Sequence, residues 1–300
     1  MTVIRTSTGS VQEIATEDGP MTTAAGSRQM GVKDAEVVGA TLIPGADTYF
    51  YPNGSGMQEV TPVAGGGVSP ITILGPSLLA WWTADRADLI TLSSTAVTSW
   101  KDVVADYDAA QGLSAARPLY SATSFNGAPS VIFDSVDDEL TLASQPFPAG
   151  ASPSEIWAIV QQDALAADAT VRAIAGYGGA ASTARRGIER AVVASNLARA
   201  TAGNGAAPVS ATDIVDFSGR HVVRGAFSAI DETIATNGGA PVSAAVVPAT
   251  GASRLRIGAL SNSTPGNFWN GKIRDVLVTG PLTTDQAAAL LAWALPRRML

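Results

Sequence analysis

The sequence predicts an all-β protein, an antiparallel sandwich with one short helix at its C-terminal end. Three observations predict it. Short apolar or alternating runs recur between residues 71 and 278. The spacers between them carry Gly, Pro, Asn and Asp, with Asn-Gly at 126–127, 237–238 and 270–271, pairs that tolerate the positive φ of tight hairpins. A single helical pattern stands near the end, in LTTDQAAALLAWALPRR (282–298). Many short strands joined by such turns argue for a sandwich rather than βαβ units.

Residues 1–60 are rich in Thr, Ser and Gly, with candidate strands at 37–43 and 48–51 and a turn at YPNGSG (51–56). This segment has too few large apolar residues for a core of its own. It reads as a flexible leader or as an attachment and oligomerisation segment that orders against a partner. The stretch TPVAGGGVSP (61–70) is a Gly/Pro linker, and the sandwich domain is expected over 71–300. Its first strand is ITILGPSLLAWW (71–82). Further strands are expected at 130–133, 139–142, 155–161, 171–176, 187–194, 221–227, 232–236, 254–259 and 271–278. In SRLRIGA, Leu255 and Ile257 face one way and Arg254 and Arg256 the other, the pattern of a half-buried strand with a wet face. In the helix, Thr283 and Gln286 form a capping box, Leu290, Leu291 and Leu295 give an apolar stripe, and Pro296 is expected to stop it.

The chain has 300 residues, a net charge of −7 and no cysteine. The acidic balance argues against nucleic acid, which needs a basic face. Disulfides and thiolate metal sites are excluded. No run approaches the ~18 apolar residues of a membrane span, so no membrane insertion is expected. The start has no apolar h-region, so no secretory signal is expected either. His221 is the sole histidine; it lies in a strand-like run, and there is no G-x-S-x-G elbow, P-loop or dinucleotide fingerprint.

The acids of FNGAPSVIFDSVDDELTL (125–142) leave three readings open. Asp134, Asp137, Asp138 and Glu139 could shape a surface turn by hydrogen-bonding its backbone. Asp134, Asp137 and Asp138 could hold a hard cation such as calcium. They could be the paired carboxylates of a glycosidase, but alternate positions would split Asp137 and Asp138 onto opposite faces.

Taken in order, LLAWWTADRADLI (78–90), VTSWKD (97–102), RPLY (117–120) and the acid-rich run, then the His-opened strand, the NGG turn, RLRIGA and FWNGKIRDVLV, resemble the concanavalin A-like lectin/glucanase domain of laminin-G-like jelly-roll type, over residues 75–296. Such domains are common in bacteriophage structural proteins and bacterial surface proteins. Thr83 and Ser135 depart from the family pattern, where an acid and a glycine are frequent. The resemblance implies a two-sheet jelly roll, a turn role for the acids, and no catalytic pair.

Candidate carbohydrate contacts are Trp81, which shares a strand with Trp82 so that one of the two faces out, then Tyr177, Arg185, Asn267 and Phe268. The expected function is that of a non-enzymatic virion protein, a fibre, spike or tail component made in the host cytoplasm. It would meet other virion proteins through residues 1–60 and a host surface glycan through the jelly roll. A homo-oligomer is expected, a trimer by the resemblance. The alternatives are an architectural or decoration protein without a ligand, and a glycoside hydrolase on the same fold.

Overall fold

The computed structural model describes residues 69–142, 147–148, 150, 152–163, 171–178, 185–190, 198–202, 209–210, 219–245, 254–260 and 265–299, together with the strands of residues 1–68. The chain divides into two compact units, Met1–Ser69 and Pro70–Leu300.

In the first unit β1 (Thr2–Arg5) pairs antiparallel with β2 (Val11–Ile14). A second sheet runs β3 (Arg28–Gln29), β4 (Thr41–Leu42), β5 (Tyr49–Asn53) and β6 (Gly56–Val60). Asn53 pairs with Gly56, at the turn expected for 51–56. The linker stretch 61–68 lies outside the described residues.

The second unit is an antiparallel sandwich. Its strands are β7 (Leu78–Thr83), β8 (Ile90–Ser93), β9 (Ala96–Lys101), β10 (Asp108–Ala110), β11 (Leu119–Phe125), β12 (Ala128–Asp134), β13 (Leu140–Leu142), β14 (Ser154–Gln162), β15 (Arg172–Gly178), β16 (Arg185–Arg190), β17 (Ala198–Ala202), β18 (Val209–Ser210), β19 (Gly219–Phe227), β20 (Asp231–Thr236), β21 (Val242–Ala245), β22 (Leu255–Ile257) and β23 (Asn270–Thr279). One sheet runs β21-β20-β19-β14-β23. The far edge of β23 is shared: residues 275–279 pair with β7, and residues 270–273 with β12, which carries β11. The other sheet runs β18-β17-β16-β15-β22-β13-β10-β9-β8. A pairing of Leu119 with Ala96 joins the two.

Alternation sets the core. Ile156, Ala158 and Val160 of β14, with Val276 and Val278 of β23, face Ile174, Ile188, Leu255 and Ile257 of the opposite sheet. The intervening residues Trp157, Ile159 and Leu277 are buried as well, so both faces of the first sheet are covered. The outer cover is a helix, α2, spanning Thr284–Met299, with Ala287, Leu290 and Ala294 buried. A five-residue helix, α1 (Pro70–Leu74), stands before β7, so only the second half of the expected strand 71–82 is a strand. The strand expected at 187–194 begins earlier, at Arg185, and is described to Arg190; residues 191–194 lie outside the described residues.

The capping box forms as the sequence dictates. Thr283 N donates to Gln286 Oε1 (3.1 Å) and Gln286 N to Thr283 Oγ1 (3.2 Å). The expected stop at Pro296 does not occur: α2 runs through it to Met299. Proline removes one helical hydrogen bond and crowds the preceding turn, and here charges hold that last turn. The Arg297 guanidinium meets Asp275 (2.9 Å) and Asp85 (2.7 Å), and Arg274 Nη1 donates to Arg297 O (2.6 Å). Arg256 corrects the expected wet face. It points away from Leu255 and Ile257, yet it is buried and paired with Glu139.

Candidate functional site

The sequence-derived candidates fall in four places. Trp81 faces out of its sheet but lies beneath α2, 1% exposed. Its Nε1 donates to Asp275 Oδ1 (3.0 Å) and its ring meets Trp293 edge-on at 5.7 Å. It is a packing residue, out of reach of a sugar; the alternation was right, and the helix covers what it exposes. Tyr177 is buried in the interior, its hydroxyl 2.6 Å from Ser154 Oγ and 3.5 Å from Arg186 Nη1. Burial raises its pKa, against the opposing pull of Arg186. It too is removed from solvent. Arg185 lies on the outer face of the second sheet, where it and Arg199 meet the buried Glu189 at 3.1 and 2.6 Å.

The remaining candidates converge at one end of the sandwich. β12 ends at Asp134 and β13 begins at Leu140, and the acids lie in the turn between them. Ser135 takes φ +71°, a conformation glycine adopts with less strain. Asp134 Oδ1 accepts from Val136 N (2.8 Å), and Asp138 Oδ2 accepts from Asp134 N (2.9 Å). The acids thus serve the turn backbone, as the first reading had it, but Asp138 is buried rather than a surface residue. Carboxylate oxygens of Asp134, Asp137 and Asp138 lie within 4.8 Å of one another, a spacing that could hold a hard cation. Burial, and then the neighbouring Asp134 charge, push the Asp138 carboxyl up to about 7. The crowding is relieved near neutral pH by a proton.

Asn267 and Phe268 stand against this turn through Arg172, a residue that no sequence pattern singles out. Its Nη1 donates to Ser135 O (3.2 Å) in the acid turn and to Phe268 O (3.0 Å). Ala173 N donates to Asn267 O (2.7 Å), and Asn267 takes φ +53°. Both Asn267 and Phe268 are half-buried. The same end carries the Lys272–Asp163 ion pair and the Asp134–Asn270 strand pairing. It also carries Gln162, 3% exposed, neither of whose amide atoms has a hydrogen-bond partner. Arg172 is thus a staple: it binds the acid turn to the segment preceding β23, and makes one polar surface of two stretches some 130 residues apart in sequence.

Several carboxylates elsewhere are committed. Asp85 and Asp275 meet arginines under α2, Glu155 meets Arg224 in a fork of two 2.8 Å bonds, and Asp102 accepts from the backbone of residues 104, 105 and 107. His221 lies in β19, its Nδ1 3.1 Å from Asn237 Nδ2.

No protein-family model matches the chain, and no curated protein matches its sequence. Solved structures do match in shape. The binding domain of botulinum neurotoxin DC, solved in complex with SialylT, superposes with TM-score 0.50 at 12% identity over 74% of this chain and 52% of the toxin chain. A GH54 α-L-arabinofuranosidase superposes with TM-score 0.50 at 12% identity, over 68% of this chain and 51% of the enzyme chain. Domain 4 of a GH43 extracellular arabinanase from Geobacillus stearothermophilus, solved with arabinotriose, gives TM-score 0.49 at 11% identity over 72% of this chain and 98% of that domain. The chain spans about half the length of the toxin and arabinofuranosidase chains. The likeness to the toxin domain and the arabinofuranosidase is one of all-β fold.

Proposed function

We propose that the chain is a non-enzymatic binding protein whose sandwich takes a glycan at the acid-turn end, and that it is displayed on a phage or phage-like particle. The glycan reading rests on the Arg172 staple. It ties the backbone of the half-buried Phe268 to the acid turn, so that an aromatic residue, the neighbouring Asn267 and the carboxylates share one end of the sandwich. These residue types supply an apolar platform and planar hydrogen-bonding groups to a sugar ring. The particle setting rests on the resemblance of the ordered motifs to domains of phage structural proteins, with residues 1–60 as the attachment segment and a trimer as the assembly. Light scattering of the full chain at a monomer mass would remove the assembly.

A glycan array with the full-length chain tests the binding reading. Phe268→Ala and Asn267→Gly, the latter keeping the positive φ of that residue, should each weaken a bound glycan about tenfold with the protein still folded. No bound glycan across a broad array would leave an architectural protein. One observation favours a hydrolase instead: a carboxyl raised to about 7 suits a general acid. Against it, Asp138 is 5% exposed, and its Oδ2 is held by the Asp134 amide. Incubation with the array hits, followed by reducing-end assay, separates the two; release of sugar abolished by Asp138→Asn would overturn the non-enzymatic reading.

A further inference from the structure

The outer face of the first sheet carries a cavity. It has a volume of about 280 Å³ and opens between the first two turns of α2, strands β19 and β20, and the turn that follows β20. Its walls are mostly apolar, with Leu282, Ala288 and Leu291 on the helix side and Pro241 across from them, and Trp157 and Arg224 also line it. The turn after β20 holds Gly238, whose φ is +80° and whose Cβ position would fall 2.7 Å from Leu291 Cδ2. A side chain there would strain the turn and displace the Leu291 side chain.

Among the described residues, Arg224 is the one charged group of the lining. Its guanidinium stacks on Trp157, 5.2 Å from the ring centroid. Its Nε and Nη2 donate to Glu155 Oε2 and Oε1, both at 2.8 Å, and Trp157 Nε1 donates to Glu155 Oε2 at 2.8 Å. Stack and fork fix the guanidinium plane, and the fork leaves the Nη1 edge as the part not turned to Glu155. The side chain keeps 31% exposure. Thr283 and Thr284 line the same cavity, at the positive end of the α2 dipole.

We infer that this cavity binds a small carboxylate carried on an apolar, single-ring-sized body. The carboxylate would meet Arg224 Nη1, a pre-aligned charge-assisted donor, and the body would lie between Leu291, Ala288 and Pro241. The volume, about 280 Å³, falls just below the usual range of small-molecule pockets, which begins at about 300 Å³, and holds the ligand to a single ring. The apolar walls favour an aromatic or alicyclic acid over a sugar acid. The inference does not rest on the glycan reading, and the two fail separately.

Titration calorimetry of the full-length chain with benzoate, methyl benzoate, cyclohexanecarboxylate and galacturonate tests it. Benzoate and cyclohexanecarboxylate should bind at least tenfold more tightly than methyl benzoate and galacturonate. Ala288→Phe fills the cavity from an exposed helix position; it should abolish binding, leave the melting temperature unchanged, and leave glycan binding at the acid-turn end intact. Arg224→Lys should lose at least tenfold in affinity for the acids while keeping a cation opposite Glu155. Equal affinity for benzoate and its methyl ester, tighter binding of galacturonate, binding that survives Ala288→Phe, or no binding of any acid would each overturn the inference.

Discussion

The end of α2 and the acid turn each bury an aspartate, and they meet its charge in opposite ways. Asp275 is 0% exposed, and its carboxylate receives the Arg297 guanidinium and the Trp81 indole N–H. Burial alone would lower the Arg297 pKa; Asp275 and Asp85 outweigh it and raise it. Asp138 is 5% exposed and stands among acids of its own sign, with the Asp134 amide as its hydrogen-bond donor. The first arrangement fixes a structure. The second leaves a group that titrates near neutrality, which makes the turn the chemically responsive part of the fold.

The largest effect should come from breaking the first arrangement. Arg297→Met takes the Arg297 cation from the buried Asp275, while Asp85 keeps Arg274 at 3.2 Å, and removal of one partner of a buried pair costs about 3–5 kcal/mol. Denaturant unfolding of the variant should show that loss, with a shift in midpoint and no change in slope; a loss below about 1 kcal/mol would mean that the network is idle.

The second arrangement predicts a pH dependence of the opposite sense to an ordinary salt-bridged aspartate. The folded pKa of Asp138, about 7, lies above its unfolded value, about 3.9. Between these values the native state holds the proton and the unfolded state does not, so this group's contribution is fully present at low pH and is lost as pH rises through about 7. The melting temperature of Asp138→Asn relative to the parent should therefore climb from pH 5 to pH 8. A flat difference would place the carboxyl in the normal range.

Gln162 gives a smaller test at the same end. A buried amide without partners costs about 1–3 kcal/mol of desolvation, so Gln162→Met should be neutral or stabilising by about 1 kcal/mol. Calcium sharpens the comparison further. If the acids serve the backbone and a proton, millimolar calcium should leave the melting temperature where EDTA leaves it. A calcium-dependent rise abolished by Asp137→Asn with Asp138→Asn would turn the cluster into a metal centre. Smallest of all, Asp137→Asn alone should change stability by no more than about 0.5 kcal/mol, since Asp137 is neither in the core nor tied to a cation.

Periodicity and turn residues were enough to place β12, β14, β19, β20 and β23 within a residue or two, and the cap of α2 to the residue. They could not tell what covers a face. Trp81 and Arg256 each point where alternation says, and each is buried by something distant, α2 and the Glu139 side chain. Asp137 and Asp138, which alternation would part, come together because they lie in a turn and not in a strand. Pro296 misled for the same reason, because the local penalty was overruled by Arg274 and Asp275 from another strand. In the candidate site, Asn267, Phe268 and the acids were legible as polar or aromatic breaks in strand patterns. Arg172 was not, because an arginine opening a strand looks like any solvated residue until its carbonyl partners are known.

The shared edge of β23 bears on how the chain is made. That strand supplies the hydrogen-bonding edge for β7, β12 and β14 at once, and it lies near the end of the 300 residues. During synthesis β7 would wait for a partner almost 200 residues downstream, its backbone groups and its two tryptophans open to chaperones or to other nascent chains. Pairings of such span fold slowly and expose aggregation-prone edges. The second unit should then acquire protease resistance only after translation reaches about residue 280, in one late step; ribosome-bound chains arrested at 260 that already resist protease would show another order of assembly.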